Sequence, residues 1–321
     1  MTANARYMAW ALAGLVLVAI VAAGAAGVDV RAGRDVRLFL LTFLNGLTLA
    51  GLYFVVASGF TLVFGLMRNV NLAHGAIALL GAYIGYDVAN WAGNWFVGVA
   101  AGFLATAVFG LALQTLVMRR MEGDELRQTL VTIGISIVMA DLMLAFWTGT
   151  TYQFEVPEFL FGATPMPWVK VYNSYRLFVL LIAVVIGIAL WLFLNRTAVG
   201  MMIRAGVDDR AMLSATGVNV QLVFALTFAI GAGLAGLGGV IGGSFLSIAP
   251  GEDVRYLLAS LVVVIVGGMG SITGAAIGAI LIGMAEQFGL AYSRTYGVVF
   301  TYVIMVVVLA LRPEGIMGRR G

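Results

Sequence analysis

The sequence predicts an all-α, polytopic membrane protein, and three observations carry that expectation. Of 321 residues, 62% are hydrophobic and 10% charged, with a mean hydropathy of +1.04, whereas a soluble domain carries roughly one charged residue in four. The run from Leu38 to Met67 alone exceeds the roughly 20 residues that a bilayer-spanning helix needs. Forty-two glycines against five prolines lie inside apolar runs, where small residues let helix backbones approach and dispersion holds them together. That placement excludes a glycine-rich disordered or fibrous chain.

Apolar runs fall at 8–27, 38–66, 72–89, 95–118, 128–147, 176–195, 220–243, 256–268, 275–292 and 296–311. They give ten crossings, or nine if the short 256–268 run is a half-helix or part of a longer tilted one. The first run follows a basic n-region, Met1 to Arg6, and reads either as a cleaved signal peptide or as a retained helix; its apolar length exceeds the usual h-region and favours retention. The second run ends at a polar break, Arg68 to Asn71, which has to lie at a membrane surface or in a protein-lined cavity because lipid offers bare amides no partner. The third run opens with His74, the only histidine. A lone histidine there more often satisfies a backbone carbonyl or caps a helix than relays protons or holds a ligand.

Two acids interrupt apolar runs: Asp141 within 128–147, and Glu286 in 275–292. An unpaired charge there is costly, so a water-filled path or a partner is expected. Asp141 is the better pathway candidate, with pairing to a helix terminus or a neighbouring arginine as the alternative. Asn45, Thr61, Asn71, His74, Asp141 and Glu286 form the candidate pathway set. Thr48, Ser58, Thr61, Thr129, Thr132 and Ser136 can bond their own helix backbone, so their presence alone defines no pore.

Orientation follows from the basic residues. A cytoplasmic carboxyl end puts Arg6, Arg68, Arg119, Arg120, Arg127, Arg196, Arg204, Arg210, Arg312, Arg319 and Arg320 inside. Arg31, Arg34, Arg37, Lys170, Arg176, Arg255 and Arg294 fall outside, so the positive-inside rule favours this orientation, with the cluster at 31–37 as the main dissent. Thr148 to Tyr175 then reads as an outer loop with interfacial aromatics. Neither it nor the 196–219 segment is long enough for a soluble catalytic domain.

Several functions are excluded or disfavoured. No GxxxxGK[ST] loop exists and the single lysine, Lys170, follows no glycine-rich turn, so ATP is not hydrolysed here by that route. Without cysteine there is no disulfide, thiolate metal site or cysteine nucleophile. A net charge of +3 gives no indication of nucleic acid. A membrane enzyme lacks any nucleophile–base or metal constellation.

The pattern "apolar run, methionine, short turn, small-residue apolar run" occurs at Val55–Tyr83 and again at Leu258–Glu286, with turns at Arg68–Asn71 and Gly270–Thr273. Paired interrupted segments point to a transport pathway; shared glycine-rich composition is the alternative. The inner segment 197–219 presents a short helix that Asp208 or Asp209 can cap and Gly217 can stop in a left-handed turn. Ile203, Val207 and Ala211 would form one apolar stripe, with Met212, Leu213 and Ala215 adding surface for a partner's cleft or for the membrane surface.

The runs Asn45-Gly-Leu-Thr-Leu, Ser58-Gly-Phe-Thr-Leu-Val-Phe-Gly65, Asn71-Leu-Ala-His-Gly75 and Gly81-Ala-Tyr83 resemble the LivH-type permeases of branched-chain amino acid ABC importers. The 197–219 segment is similar to that family's cytoplasmic coupling loop at Gly200, Arg204, Asp208, Asp209, Gly217 and Asn219. Gly267-Gly-Met-Gly-Ser-Ile-Thr-Gly-Ala-Ala-Ile-Gly278 and Arg312-Pro-Glu-Gly-Ile-Met-Gly318 extend the resemblance over about 38–318. Departures are Ala76, where the family commonly has Glu after His-Gly, Leu213 in place of an alanine, and residues 1–37, which look like an additional helix and connector ahead of a permease domain at 38–321.

The resemblance implies a multi-pass permease of a bacterial inner membrane, with no cofactor of its own. Its partners would be a second, LivM-like permease, two cytoplasmic ATPases that bind ATP, and a periplasmic solute-binding protein. Branched-chain amino acids are the first expectation for the solute; urea, short amides and small aromatic or carboxylic acids remain open. The reading from another class is a secondary transporter driven by an ion gradient, with Asp141 and Glu286 as proton carriers.

Overall fold

The computed structural model describes residues 33–67, 71–166, 169–292 and 297–318. The 8–27 run, Arg68 and the Pro167–Trp168 pair lie outside the described residues. Helix α1 (Gly33–Met67) is followed by α2 (His74–Ala92), which Gly93 stops in a left-handed conformation. Asn94 then caps α3 (Trp95–Leu116) by accepting from the amides of Phe96 and Val97. A 3₁₀ turn (Met118–Met121) leads to α4 (Glu125–Trp147), where the Asp124 side chain accepts from the Arg127 amide at 3.0 Å. These caps satisfy donors that a helix start leaves without acceptors.

Beyond α4 the all-α expectation needs one correction. The segment between α4 and the next long helix folds a small antiparallel hairpin, β1 (Ala163–Met166) with β2 (Lys170–Asn173), pairing Ala163 with Asn173 and Thr164 with Tyr172. Its Thr, Val and Tyr residues suit a strand, and no span-length apolar pattern announces so short an element. The chain continues through α5 (Ser174–Arg196), α6 (Ala198–Asp208), α7 (Arg210–Ala215), α8 (Val220–Leu246), α9 (Glu252–Gly267), α10 (Ile272–Tyr292) and α11 (Gly297–Leu311).

Among the described residues, six helices are long and apolar enough to cross a membrane: α1, α3, α4, α5, α8 and α10. The expectation of nine or ten crossings is not met on that measure, for identifiable reasons. Helix α2 has 19 residues, but His74, Asp87 and Asn90 dilute its apolar character. Helix α9 starts earlier than its apolar run, with Glu252 and Asp253 in its first turn, where acids suit the helix dipole. Helix α11 is short.

The chain divides into two units, one of residues 1–54, 158–183 and 262–321, the other of 55–157 and 184–261. In the second, α2, α3 and α8 pack on one another through small residues. A Cβ on Gly81 would overlap the backbone of Gly236, and one on Gly59 the carbonyl of Gly231, so these helices meet backbone to backbone. In the first unit, Gly46 of α1 lies against Met284 of α10, and the Phe39 and Phe288 rings sit 5.3 Å apart. The carboxyl-terminal segment closes on the α9–α10 turn there: Ile316 N–H donates to the Val266 carbonyl and Met317 N–H to that of Gly267, each at 2.9 Å. Two of the motifs that carried the resemblance, at 267–278 and 312–318, are thus bonded to each other.

Candidate functional site

In the second unit, His74 opens α2 fully enclosed, with Nε2 3.0 Å from the Val56 carbonyl and its ring edge-on to Phe60 at 5.2 Å. Asn71, also buried, turns its Oδ1 back to accept from the Ala73 amide at 3.1 Å. Thr61 donates to the Ala57 carbonyl at 2.8 Å, inside its own helix. These three candidates are therefore engaged with backbone: His74 and Asn71 shape the start of α2, and Thr61 is tied to α1.

The start of α9 meets the start of α2. A Cβ on Gly75 would overlap the Asp253 carbonyl oxygen and come within 2.8 Å of the Leu257 Cβ. Asp253 is buried, only 7% exposed. The Tyr83 hydroxyl is sealed and, among the described residues, has no hydrogen-bond partner. Its ring stacks on Trp147 at 4.8 Å, and Trp147 Nε1 donates to Asp87 at 2.8 Å. Tyr152 packs edge-on to Tyr83 and pairs its backbone with Ile248, which anchors the 247–251 connection ahead of α9. Asp253 was missed in the sequence because an acid in a first turn reads as a dipole contact; the run of Gly251, Glu252 and Asp253 before an apolar stretch was the available signal.

Asp141 is exposed on α4, and among the described residues it has no ion-pair partner. Only 17% of the apolar window of α4 is buried within the chain. The neighbouring-arginine alternative thus finds no support among the described residues.

In the first unit, Asn45 joins a polar cluster at the foot of the hairpin. Its Oδ1 accepts from the Tyr172 hydroxyl at 3.1 Å and from the Arg176 guanidinium, while Thr48 Oγ1 lies 3.0 Å from the same phenol. Burial pushes the Tyr172 phenol above its ordinary value, with the Thr48 bond and the Arg176 charge acting against that rise. Glu286 accepts from the Tyr53 hydroxyl at 2.6 Å. Asn45 and Glu286 therefore have partners from other elements of this unit. Among the described residues no group of three or more His, Cys, Asp or Glu could hold a metal ion.

The 197–219 segment is two helices rather than one. Thr197 donates to the Phe193 carbonyl at 2.6 Å and accepts from the Gly200 amide at 3.1 Å, starting α6 hard against the end of α5. Gly200 sits where a Cβ would overlap the Phe193 carbonyl, so the turn between the helices requires glycine. Helix α6 ends at Asp208. Asp209 adopts an extended conformation and caps α7 by accepting from the Met212 amide at 3.0 Å. Gly217 has φ +82 and ends the segment, and Asn219 caps α8 through the Leu222 amide at 3.1 Å. Exposed Arg204 reaches back to Asn195 Oδ1 at 2.7 Å.

The expected stripe of Ile203, Val207 and Ala211 is corrected by this geometry. The break at Asp209 puts Ala211 on a different helix from the other two. Ile203 and Leu213 are buried, and Leu213 and Phe224 lie within van der Waals reach of the position a Cβ on Gly206 would take. Among the described residues, Met201, Ala205, Met212 and Ala215 are apolar groups of this segment that face outward.

A family model described as the permease component of the branched-chain amino acid transport system matches residues 42–309. The chain is 30% identical over 299 residues to the high-affinity branched-chain amino acid transport system permease protein BraD of Pseudomonas aeruginosa, covering 88% of this chain and 96% of that protein. It is 28% identical over 302 residues to the corresponding LivH protein of Escherichia coli strain K12, with the same coverage. The ribose import permease protein RbsC of Haemophilus influenzae is 28% identical over 302 residues, 91% of this chain and 80% of that protein. No solved structure matches. With a match spanning the α1–α2 break, the two-helix segment and α9 to α11, the chain belongs to the permease family of branched-chain amino acid transport systems.

Proposed function

We propose that this chain is a permease subunit of an ABC importer whose cargo is branched-chain amino acids. The match over 42–309 carries this reading, and two relatives aligned along almost their full lengths are named for that transport. A permease subunit is a transport component, and ATP hydrolysis resides in separate subunits. A ribose permease aligns as well, which suits a scaffold that passes polar solutes while a soluble receptor selects among them. The partners would be a LivM-like second permease, two cytoplasmic ATPases and a periplasmic binding protein.

In an inner membrane, α2, α9 and α11 would complete the crossings begun by the six longer helices, with the carboxyl end in the cytoplasm. The α6–α7 segment would then face the ATPases. Its cap at Asp209 and stop at Gly217 give it a fixed shape, as a lever needs, and Arg204, Met201 and Met212 offer an exposed surface to grip. ATPase closure would move this segment as a rigid body and switch the pathway between outward and inward openings. The pathway would run past the joined starts of α2 and α9. Helix starts favour a substrate carboxylate, and Asp253 offers a counter-charge to an ammonium group.

The ion-gradient alternative is disfavoured by the family, and Glu286 is engaged with Tyr53. The deciding measurement is leucine uptake by proteoliposomes holding the chain with its partners. Uptake should require ATP and the binding protein and survive a protonophore. Uptake that persists without the ATPases and collapses with the proton gradient would overturn the reading.

A further inference from the structure

A groove of about 480 Å³ opens in the second unit between the last turns of α3, the 3₁₀ turn after it and the first turns of α8. It adjoins the two-helix segment, since Asn219, the cap of α8, lines it. None of the pathway candidates lines it.

The groove changes character along its length. One wall is apolar, built from Val108 and Leu111 of α3 and Leu222 and Ala225 of α8, with Val108 66% and Leu222 56% exposed. Both helices are long and apolar enough to cross a membrane, which suits this wall to an acyl chain. The other end is polar. Arg119 and Glu122 both line it, and among the described residues neither has an ion-pair partner. The first turn of α8 adds amides: Asn219 satisfies Leu222 with its side chain and Val223 with its carbonyl, which leaves the Val220 and Gln221 N–H groups without intrahelical acceptors.

Beneath these groups lies Gln114, 2% exposed, whose Oε1 has no hydrogen-bond partner among the described residues. A buried amide left short of a partner is unfavourable, because it has given up water for nothing. Rotation of the amide exchanges its donor and acceptor, so a polar group entering the groove can meet either.

We propose that this groove is a binding site for one phospholipid with an ethanolamine headgroup. An acyl chain lies along the Val108–Leu111–Leu222 wall. The phosphodiester sits between Arg119 and the start of α8, where a cation and a helix dipole favour an anion. The ammonium group turns to Glu122 and supplies the donor that Gln114 lacks. A zwitterion with N–H donors matches the cation, the anion and the amide that stand without partners among the described residues; choline, with three methyl groups in place of those donors, does not. Because the bound lipid would touch the start of α8 next to Gly217, its occupancy would stiffen the end of the segment proposed to couple transport. The binding itself does not depend on which solute is carried.

The test is native mass spectrometry of the full importer released from detergent with equal amounts of ethanolamine, glycerol and choline phospholipids of identical acyl chains. One ethanolamine lipid per copy of this chain should be retained in preference to the other two. Arg119→Gln, at an exposed position that folding does not need, should lower that retention about tenfold, the scale of one lost charge-assisted hydrogen bond. Gln114→Leu should narrow the preference for ethanolamine over choline. Inorganic phosphate should not displace the lipid. Equal retention of the choline lipid, preference for the glycerol lipid, indifference to Arg119→Gln, displacement by phosphate, or a groove filled by a partner protein would each overturn the proposal.

Discussion

Helix α5 is more apolar than α8, with a mean hydropathy of 3.2 against 2.0 over their best windows, yet 22% of that window is buried in α5 against 61% in α8. In water the order would be reversed, because apolar surface is driven inward. Between hydrocarbon and protein interior that drive is absent, and close packing decides instead. Helix α5 has a single glycine, Gly187, and exposes Leu181, Val184, Val185 and Ile188. Helix α8 carries glycines throughout Gly231 to Gly243 and is buried along that stretch. In this chain, apolar bulk marks contact with lipid or another subunit, and small residues mark contact within the fold.

The largest effect should come from adding volume where α8 crosses α2. In Gly239→Val the new Cβ would overlap the Ala78 carbonyl oxygen, and such overpacking against backbone costs about 3 kcal/mol or more. The expected result is loss of monodisperse protein on size-exclusion chromatography in detergent; a normal yield would break the contrast between the two helices.

A second substitution separates packing from backbone conformation. Gly217 has φ +82 with nothing within 4 Å of where a Cβ would stand, so Gly217→Val strains only the turn, by about 1–2 kcal/mol. Yield should stay near normal while ATP hydrolysis continues and uptake falls several-fold. Unchanged uptake per ATP would remove the coupling role from this segment.

His74→Phe keeps the ring and loses the bond to the Val56 carbonyl. A loss of about 1 kcal/mol is expected, read as a lower melting temperature with little change in the concentration dependence of uptake. A large rise in half-saturation would return His74 to the solute path. The smallest effect belongs to α5: Ile188→Ala, at a 56% exposed position, should change stability by about 0.5 kcal/mol or less. A fall as large as that of Gly239→Val would mean that this face is covered in the assembled importer.

The spans were legible because composition and run length act residue by residue. The cap at Asp209 and the stop at Gly217 were legible for the same reason: each is one residue meeting one local requirement. Failures came where distant parts of the chain decide. The partners of Asn45 were not legible: Tyr172 lies on a hairpin that no periodicity announced, and Arg176 in the first turn of α5. Asp253 lies ahead of the 256–268 apolar run, and only the packing of α9 against Gly75 brings it to notice. The stripe through Ile203, Val207 and Ala211 assumed a continuous helix, whereas Asp209, by capping α7, ends the helix that would have aligned them.

The strap formed by Ile316 and Met317 has a consequence for biogenesis. The carbonyls of Val266 and Gly267 leave the ribosome well before the amides that satisfy them, with α10 and α11 made in between. Until those helices are inserted and the strap returns, the turn after α9 must borrow its hydrogen bonds from water. Maturation of this corner therefore waits on the end of synthesis, and a chain cut short after α11 would span the membrane with that seam unsewn.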